Sequence, residues 1–139
     1  MEVEFARLAA INRTKEQLET LKKIHDSERS IDISKTDDIT ALDFEFHLAI
    51  AIASGNVIYP LLMNSFKPVY TNLTGIFFQH TSIVREVHEF HKELVTAIEK
   101  KNSNKATEVM KAMLDHGERH LRKFIANAKS SSALRRNAQ

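Results

Sequence analysis

Asp37-Asp38-Ile39-Thr40-Ala41-Leu42-Asp43-Phe44-Glu45-Phe46-His47-Leu48-Ala49-Ile50-Ala51-Ile52-Ala53-Ser54-Gly55-Asn56 is the stretch that decides the fold class. It opens on two acidic residues, which suit a helix N-terminus because they oppose its positive end. Leu42, Phe46 and Ile50 then recur at helical intervals, and the Ala-rich run to Ala53 continues the same apolar stripe. Ser54-Gly55-Asn56 closes the segment as a glycine C-cap. An amphipathic helix with a start and a stop is the reading.

The pattern extends in both directions. Val3, Phe5, Leu8, Ala9 and Ile11 keep helical spacing, and Thr14 with Gln17 reads as a capping box that opens a second helix carrying Leu18, Leu21 and Ile24. Ser27 to Lys35 reads as a polar loop with isolated Ile31 and Ile33. Beyond Asn56, a helical region runs from Val57 towards His80, where Pro68 and Gly75 are placed to kink or divide it. Ser82 is positioned to cap the next helix, which presents Val84, Val87, Leu94, Val95 and Ile98 before the polar Lys100-Lys101-Asn102 break. Ser103 or Asn104 begins the last helix, with Ala106, Val109, Met110, Met113 and Leu114 followed by Leu121, Phe124 and Ile125. Lys129 to Gln139 is Ser-rich and basic, the composition of a frayed end. The expected architecture is all-α, a bundle of six or seven helices in one domain over residues 1–128, with a flexible basic tail at 129–139.

Composition narrows the function classes. A chain of 139 residues with 42% hydrophobic content fills one core. Twenty Lys and Arg against eighteen Asp and Glu give a formal charge of +2, too small a surplus for a nucleic-acid-binding coat. Cysteine is absent, so any metal must be held by His, Asp, Glu or water. No apolar run approaches the roughly twenty residues that span a bilayer, and Met1-Glu2-Val3-Glu4 is the wrong chemistry for a signal peptide. A cytoplasmic location without a membrane partner is the default expectation. No Gly-x-Ser-x-Gly elbow, His-Glu-x-x-His, Walker loop or dinucleotide fingerprint is present, so no enzyme is expected.

Asp43 and His47 are four apart and share one helical face beside the apolar stripe, where an unpaired carboxylate is costly and a divalent cation would compensate it. The same spacing also fits an ordinary Asp–His hydrogen bond or a solvated pair. His88 and His91 are three apart on another helix. His91 is the better candidate, because it precedes Leu94, Val95 and Ile98 at helical intervals, whereas Glu86 and Glu89 flank His88. His116 and His120, four apart on the final helix, are further donors, although spacing alone favours a solvated side chain for each of these histidines. Such N and O donors suit Zn²⁺, Ni²⁺ or Mn²⁺. Phe77-Phe78 is read as core, with the lining of a cavity between helices as the other reading.

Several segments, in order, resemble the ligand-sensing C-terminal domain of the FadR subgroup of GntR-type bacterial transcription regulators. Glu2-Val3-Glu4-Phe5-Ala6-Arg7-Leu8-Ala9-Ala10 looks like its opening helix, and Asp43-Phe44-Glu45-Phe46-His47 matches its Asp-x-x-Phe-His motif. Ala53-Ser54-Gly55-Asn56 follows at the expected distance. His91 with Leu94, Ala97 and Ile98 looks like the His-x-x-Ile/Leu-x-x-Ala-Ile segment, and Ala106 with Met110 fits the start of the last helix. The likeness spans residues 2 to about 125.

The resemblance implies an antiparallel helical bundle, usually a homodimer, whose interior pocket holds a divalent metal through one Asp and three His, with a small organic acid bound at or near the ion. Asp43, His47 and His91 map onto three of these ligands. Where the family pattern has its third His, this chain has Met113. His116, nearly one helical turn further on, is the candidate fourth ligand, with water or the effector as the other occupants. Arg85 is the candidate partner for the effector's carboxylate, its other reading being a surface ion pair with Glu89. Zn is the expected metal. Family regulators read operator DNA through an N-terminal winged helix-turn-helix that these residues do not supply, so the chain is expected to be the sensing piece of a longer regulator. Two other readings of the same features are a metal-dependent enzyme acting on a small carboxylate and a purely structural dimerisation bundle.

Overall fold

The computed structural model describes residues 1–137, and these form seven helices: α1 (Glu2–Asn12), α2 (Lys15–Ser30), α3 (Thr36–Ala53), α4 (Ile58–Ser65), α5 (Lys67–Phe77), α6 (Thr81–Glu99) and α7 (Ser103–Asn137). The local signals explain most of the boundaries. Thr14 Oγ1 accepts from Gln17 N at 3.1 Å while Gln17 Oε1 accepts from Thr14 N at 2.9 Å, which completes the capping box of α2. Gly55 takes φ +81°, a left-handed conformation that a side chain strains, and so terminates α3. Asn12 Nδ2 donates to Ser54 O beside it at 2.8 Å, tying the end of α1 to the end of α3. The helical region after Val57 is divided at Phe66, two residues before Pro68, whereas Gly75 lies within α5 without interrupting it. Proline lacks the N–H that would continue α4 but is tolerated in the first turn of α5.

Three boundaries differ from the sequence reading. Helix α2 runs on to Ser30 through residues read as loop, because His25 and Glu28 extend the inward stripe of Leu18 and Leu21. Ser82 does not cap α6; the helix starts at Thr81, and His80 O accepts from Ile83 N and Val84 N at 3.0 and 3.3 Å. Helix α7 continues to Asn137, past the point where a frayed tail is expected. Residues 125–137 are exposed throughout, yet contain no glycine or proline to stop the backbone hydrogen bonding. Ala138 and Gln139, the end of that expected tail, lie outside the described residues.

The main core forms where α1 packs on α3, α6 and α7 while α2 packs on α3 and α6. Phe5, Leu21, Phe44, Phe46, Ile50, Leu94, Ile98 and Met110 are its largest fully buried apolar side chains. Burial of each stabilises by about 1.5–3 kcal/mol relative to exposure. A smaller cluster gathers Ile39, Phe78, Ile83 and Val84, with Phe77, Val87 and Phe124 packed on it. Arg13, between α1 and α2, donates to Ile98 O at 3.2 Å and Glu99 O at 2.7 Å, placing a cation on the last carbonyls of α6. Among the described residues no helix is long and apolar enough to cross a membrane.

Candidate functional site

Helix α3 places Asp43 and His47 one turn apart, and α6 brings His91 against them. All three are buried, His91 completely. Asp43 Oδ1 lies 3.6 Å from His47 Nε2 and 3.3 Å from His91 Nε2. Two ligand atoms on a tetrahedral ion with bonds of about 2.0–2.1 Å stand about 3.3 Å apart, so this separation suits a shared cation.

Each of the three has a group behind it. Glu28 Oε2 and Oε1 lie 2.8 and 3.0 Å from His91 Nδ1, and Glu28 also holds His25 Nδ1 at 3.2 Å. Glu2 Oε1 approaches His47 Nδ1 to 2.9 Å, close but not aligned as a hydrogen bond. Tyr70 Oη donates to Asp43 Oδ2 at 2.7 Å. Phe46 stacks on the His91 ring at 3.9 Å and 10°, fixing its plane. A carboxylate behind a histidine sets the tautomer: the proton stays on Nδ1 and the Nε2 lone pair faces forward. His91 Nε2 is then a buried atom without a hydrogen-bond partner, aimed at the Asp43 carboxylate. Two electron-rich atoms facing each other away from water require a cation between them, either a proton or a metal ion.

The electrostatics agree with this proton-or-metal alternative. Burial alone would pull His47 and His91 down, but the Glu2 and Asp43 carboxylates outweigh it at His47 and hold its pKa well above the ordinary value. Glu28, with Asp43, raises that of His91 as well. Burial would raise Asp43 and Glu28, yet the facing imidazoles hold both below their ordinary range. Burial, reinforced by Asp43, pushes the Tyr70 hydroxyl up, so it remains a donor.

Asp43 and His47 stand at one end of a cavity of about 340 Å³, with His91 buried behind them. Glu2, Asp43, His47 and Tyr70 form its polar end; Leu73, Phe77, Phe78, Ile83, Val87 and Leu121 supply an apolar body. The cavity has the size of a small-molecule pocket, and its polar end accepts an anion only if a cation sits among Asp43, His47 and His91.

Residues 1–126 match the model of the FadR C-terminal domain. The chain belongs to the FadR C-terminal domain family. It is 30% identical to the fatty acid metabolism regulator protein of Proteus mirabilis over 99 residues, covering 71% of this chain and 39% of that protein. It is 31% identical to the Uxu operon regulator of Haemophilus influenzae over 123 residues, covering 85% of this chain and 45% of that protein. The Erwinia tasmaniensis fatty acid metabolism regulator protein is 26% identical over 108 residues, with 78% and 41% covered. The chain thus spans less than half the length of these relatives.

This FadR C-terminal domain assembles three of the five residues singled out from sequence. Asp43, His47 and His91 converge. His116 does not join them: its Nε2 contacts Glu86 Oε2 and lies 3.2 Å from His120 Nε2, since one further turn along α7 carries it towards α6's outer residues. Arg85 is exposed on α6 and is not among the side chains lining the cavity. Met113 is buried and lines the cavity, and Phe77 and Phe78, read as core, line it as well. His88 is half-buried with its ring 6.2 Å from that of His91, outside the donor group. Sequence reasoning missed Glu2, His25, Glu28 and Tyr70. For His25 and Glu28 a signal existed: Leu18, Leu21, His25 and Glu28 recur at intervals of three and four, so the stripe that buries the leucines also turns these two inward.

Proposed function

We propose that this FadR C-terminal domain is the effector-sensing part of a transcription regulator, binding an organic acid with a hydrocarbon body at a divalent metal held by Asp43, His47 and His91. The observation that carries the reading is the cavity itself, which sets Asp43 and His47 beside an apolar wall of Leu73, Phe77, Phe78, Ile83, Val87 and Leu121. The donor set, two imidazoles and a carboxylate, favours Zn²⁺, with Ni²⁺ and Mn²⁺ served by the same ligands. When bound, the ion supplies positive charge and an open coordination position for a carboxylate. The Met113 thioether is a poor match for a borderline cation among N and O donors, so that position is left to water or the acid.

Glu28 and Glu2 orient the two imidazoles, and Tyr70 holds the second oxygen of Asp43. The apolar walls favour an alkyl or aryl acid over a polyhydroxylated one, because each buried hydroxyl would need a partner that Leu73, Phe77 and Ile83 lack. The names of the fatty acid metabolism regulators agree with such an acid. The acid is bound and not converted in this reading, in keeping with the regulator names of the relatives. In the longer regulator the acid biases the arrangement of two chains in a homodimer, and operator DNA is read by a winged helix-turn-helix outside this domain.

The test uses the purified chain. Metal analysis should find a tightly held divalent ion that His47→Ala removes. A thermal-shift series of straight-chain monocarboxylates should raise Tm more as the chain lengthens, and only in metal-loaded protein. Shifts given solely by sugar acids, or shifts indifferent to chelator, would refute the reading.

A further inference from the structure

Outside the trio, a second set of donors converges between α6 and α7. His116 and His120 are one turn apart on α7 and share a face, and Glu86 reaches them from α6. His120 Nε2 lies 3.2 Å from His116 Nε2 and 3.6 Å from Glu86 Oε2, and His116 Nε2 contacts the same carboxylate oxygen. Both imidazoles line the cavity, while the Glu86 side chain is 53% exposed, so the group stands where the cavity wall meets solvent.

A proton serves this geometry poorly. If His116 Nε2 carries a hydrogen, that one hydrogen must be divided between the Glu86 carboxylate and the His120 Nε2 lone pair, with only a share for each. If His120 carries the hydrogen instead, His116 turns a lone pair towards the carboxylate. One divalent cation accepts both lone pairs and the carboxylate together. The three atoms come from two helices, as a clip between elements requires.

We propose that Glu86, His116 and His120 form a second divalent-metal site, distinct from the Asp43 trio, which fastens α7 to α6 at the rim of the cavity. Two imidazoles and a carboxylate select a borderline cation such as Zn²⁺, Ni²⁺ or Cu²⁺ and discriminate against Mg²⁺ and Ca²⁺, which take oxygen donors. With three protein ligands and an exposed edge, the site keeps at least one position open. It binds more weakly than the trio, because its ligands are partly solvated and lack the buried carboxylates that orient His47 and His91. The two sites share no residue, so this proposal stands or falls without the effector reading.

The experiment titrates Zn²⁺ into the chelator-stripped full chain by calorimetry, with Co²⁺ absorption as a report on the ligand set, and circular dichroism to confirm that each variant folds. The wild-type chain should take up two ions of unequal affinity. His120→Ala and Glu86→Gln should each lose the weaker ion and keep the tighter one, and His47→Ala should do the reverse. Stoichiometry unchanged in both His120→Ala and His116→Ala overturns the second site. So does a single ion lost equally in His47→Ala and His120→Ala, which would make all these residues ligands of one centre. If instead His47→Ala keeps both ions, the trio reading fails and the second site survives.

Discussion

At the scale of single residues, the carboxylates and imidazoles of the trio hold protons between them, and this sets how stability responds to pH. His47 and His91 have pKa values raised above the unfolded value, so their contribution is complete below about pH 6.5 and is lost as pH climbs through the raised values. Asp43 and Glu28 are lowered, so theirs is present above about pH 4 and is lost as pH falls through the lowered values. Chelator-treated protein should therefore melt at progressively lower temperature on the alkaline side, and Zn²⁺ should abolish that decline by taking the place of the protons. Melting curves from pH 6 to pH 10 with and without metal check this; a decline of equal size in both would contradict it. Met113 is a second residue-scale test. Met113→His places an imidazole on the cavity wall beside the trio, and metal affinity should rise by on the order of tenfold or more, since even a lost supporting contact costs 10–100-fold. Competition against a chelator of known affinity measures the change.

At the scale of elements, the ends of helices were the most legible features where a side chain or a glycine does the capping, and the least where backbone and packing decide. Thr14 with Gln17 and Gly55 act as read, because their chemistry is local. The end of α2 was misread because Asp26, Ser27 and Arg29 are polar, while Glu28, which holds His25 within the helix, is turned inward by His91 of α6, far away in sequence. Likewise the trio could be assembled from motif order, but Glu2 and Tyr70 carry no local signal, since only the packing of α1 and α5 on α3 brings them in. The turn after α6 offers a stability test. Asn102 N bonds to Ala97 O at 2.8 Å and Lys101 N to Ile98 O at 3.1 Å, a Schellman ending whose left-handed position is filled by Lys101 at φ 55°. A side chain there costs about 1–2 kcal/mol, and glycine gives back about 0.5–1 kcal/mol through unfolded-chain entropy. Lys101→Gly should thus stabilise the chain by about 0.5–1 kcal/mol in urea denaturation, and a loss of stability would show that the turn is not strained.

At the scale of the whole molecule, α4 and α5 bury Met63, Tyr59 and Tyr70 against the main core but leave most of their other apolar side chains exposed. Val57, Ile58, Leu61, Phe66, Val69 and Ile76 are each more than half exposed, an apolar row that a second copy of the chain would cover in the proposed homodimer. Leu61→Glu with Val69→Glu should shift sedimentation equilibrium towards monomer while leaving tight metal uptake intact; an unchanged dimer would place the interface elsewhere. The reach of the trio is more extended than its three proposed ligands suggest, because Glu2, which backs His47, belongs to the first turn of α1. The first amides of that turn with a helical acceptor are those of Phe5, bonded to Met1 O, and Ala6. If the trio holds an ion, these two amide hydrogens should exchange with solvent deuterium faster once it is stripped, so the occupancy of a buried site becomes readable as the opening rate of the helix that begins the domain.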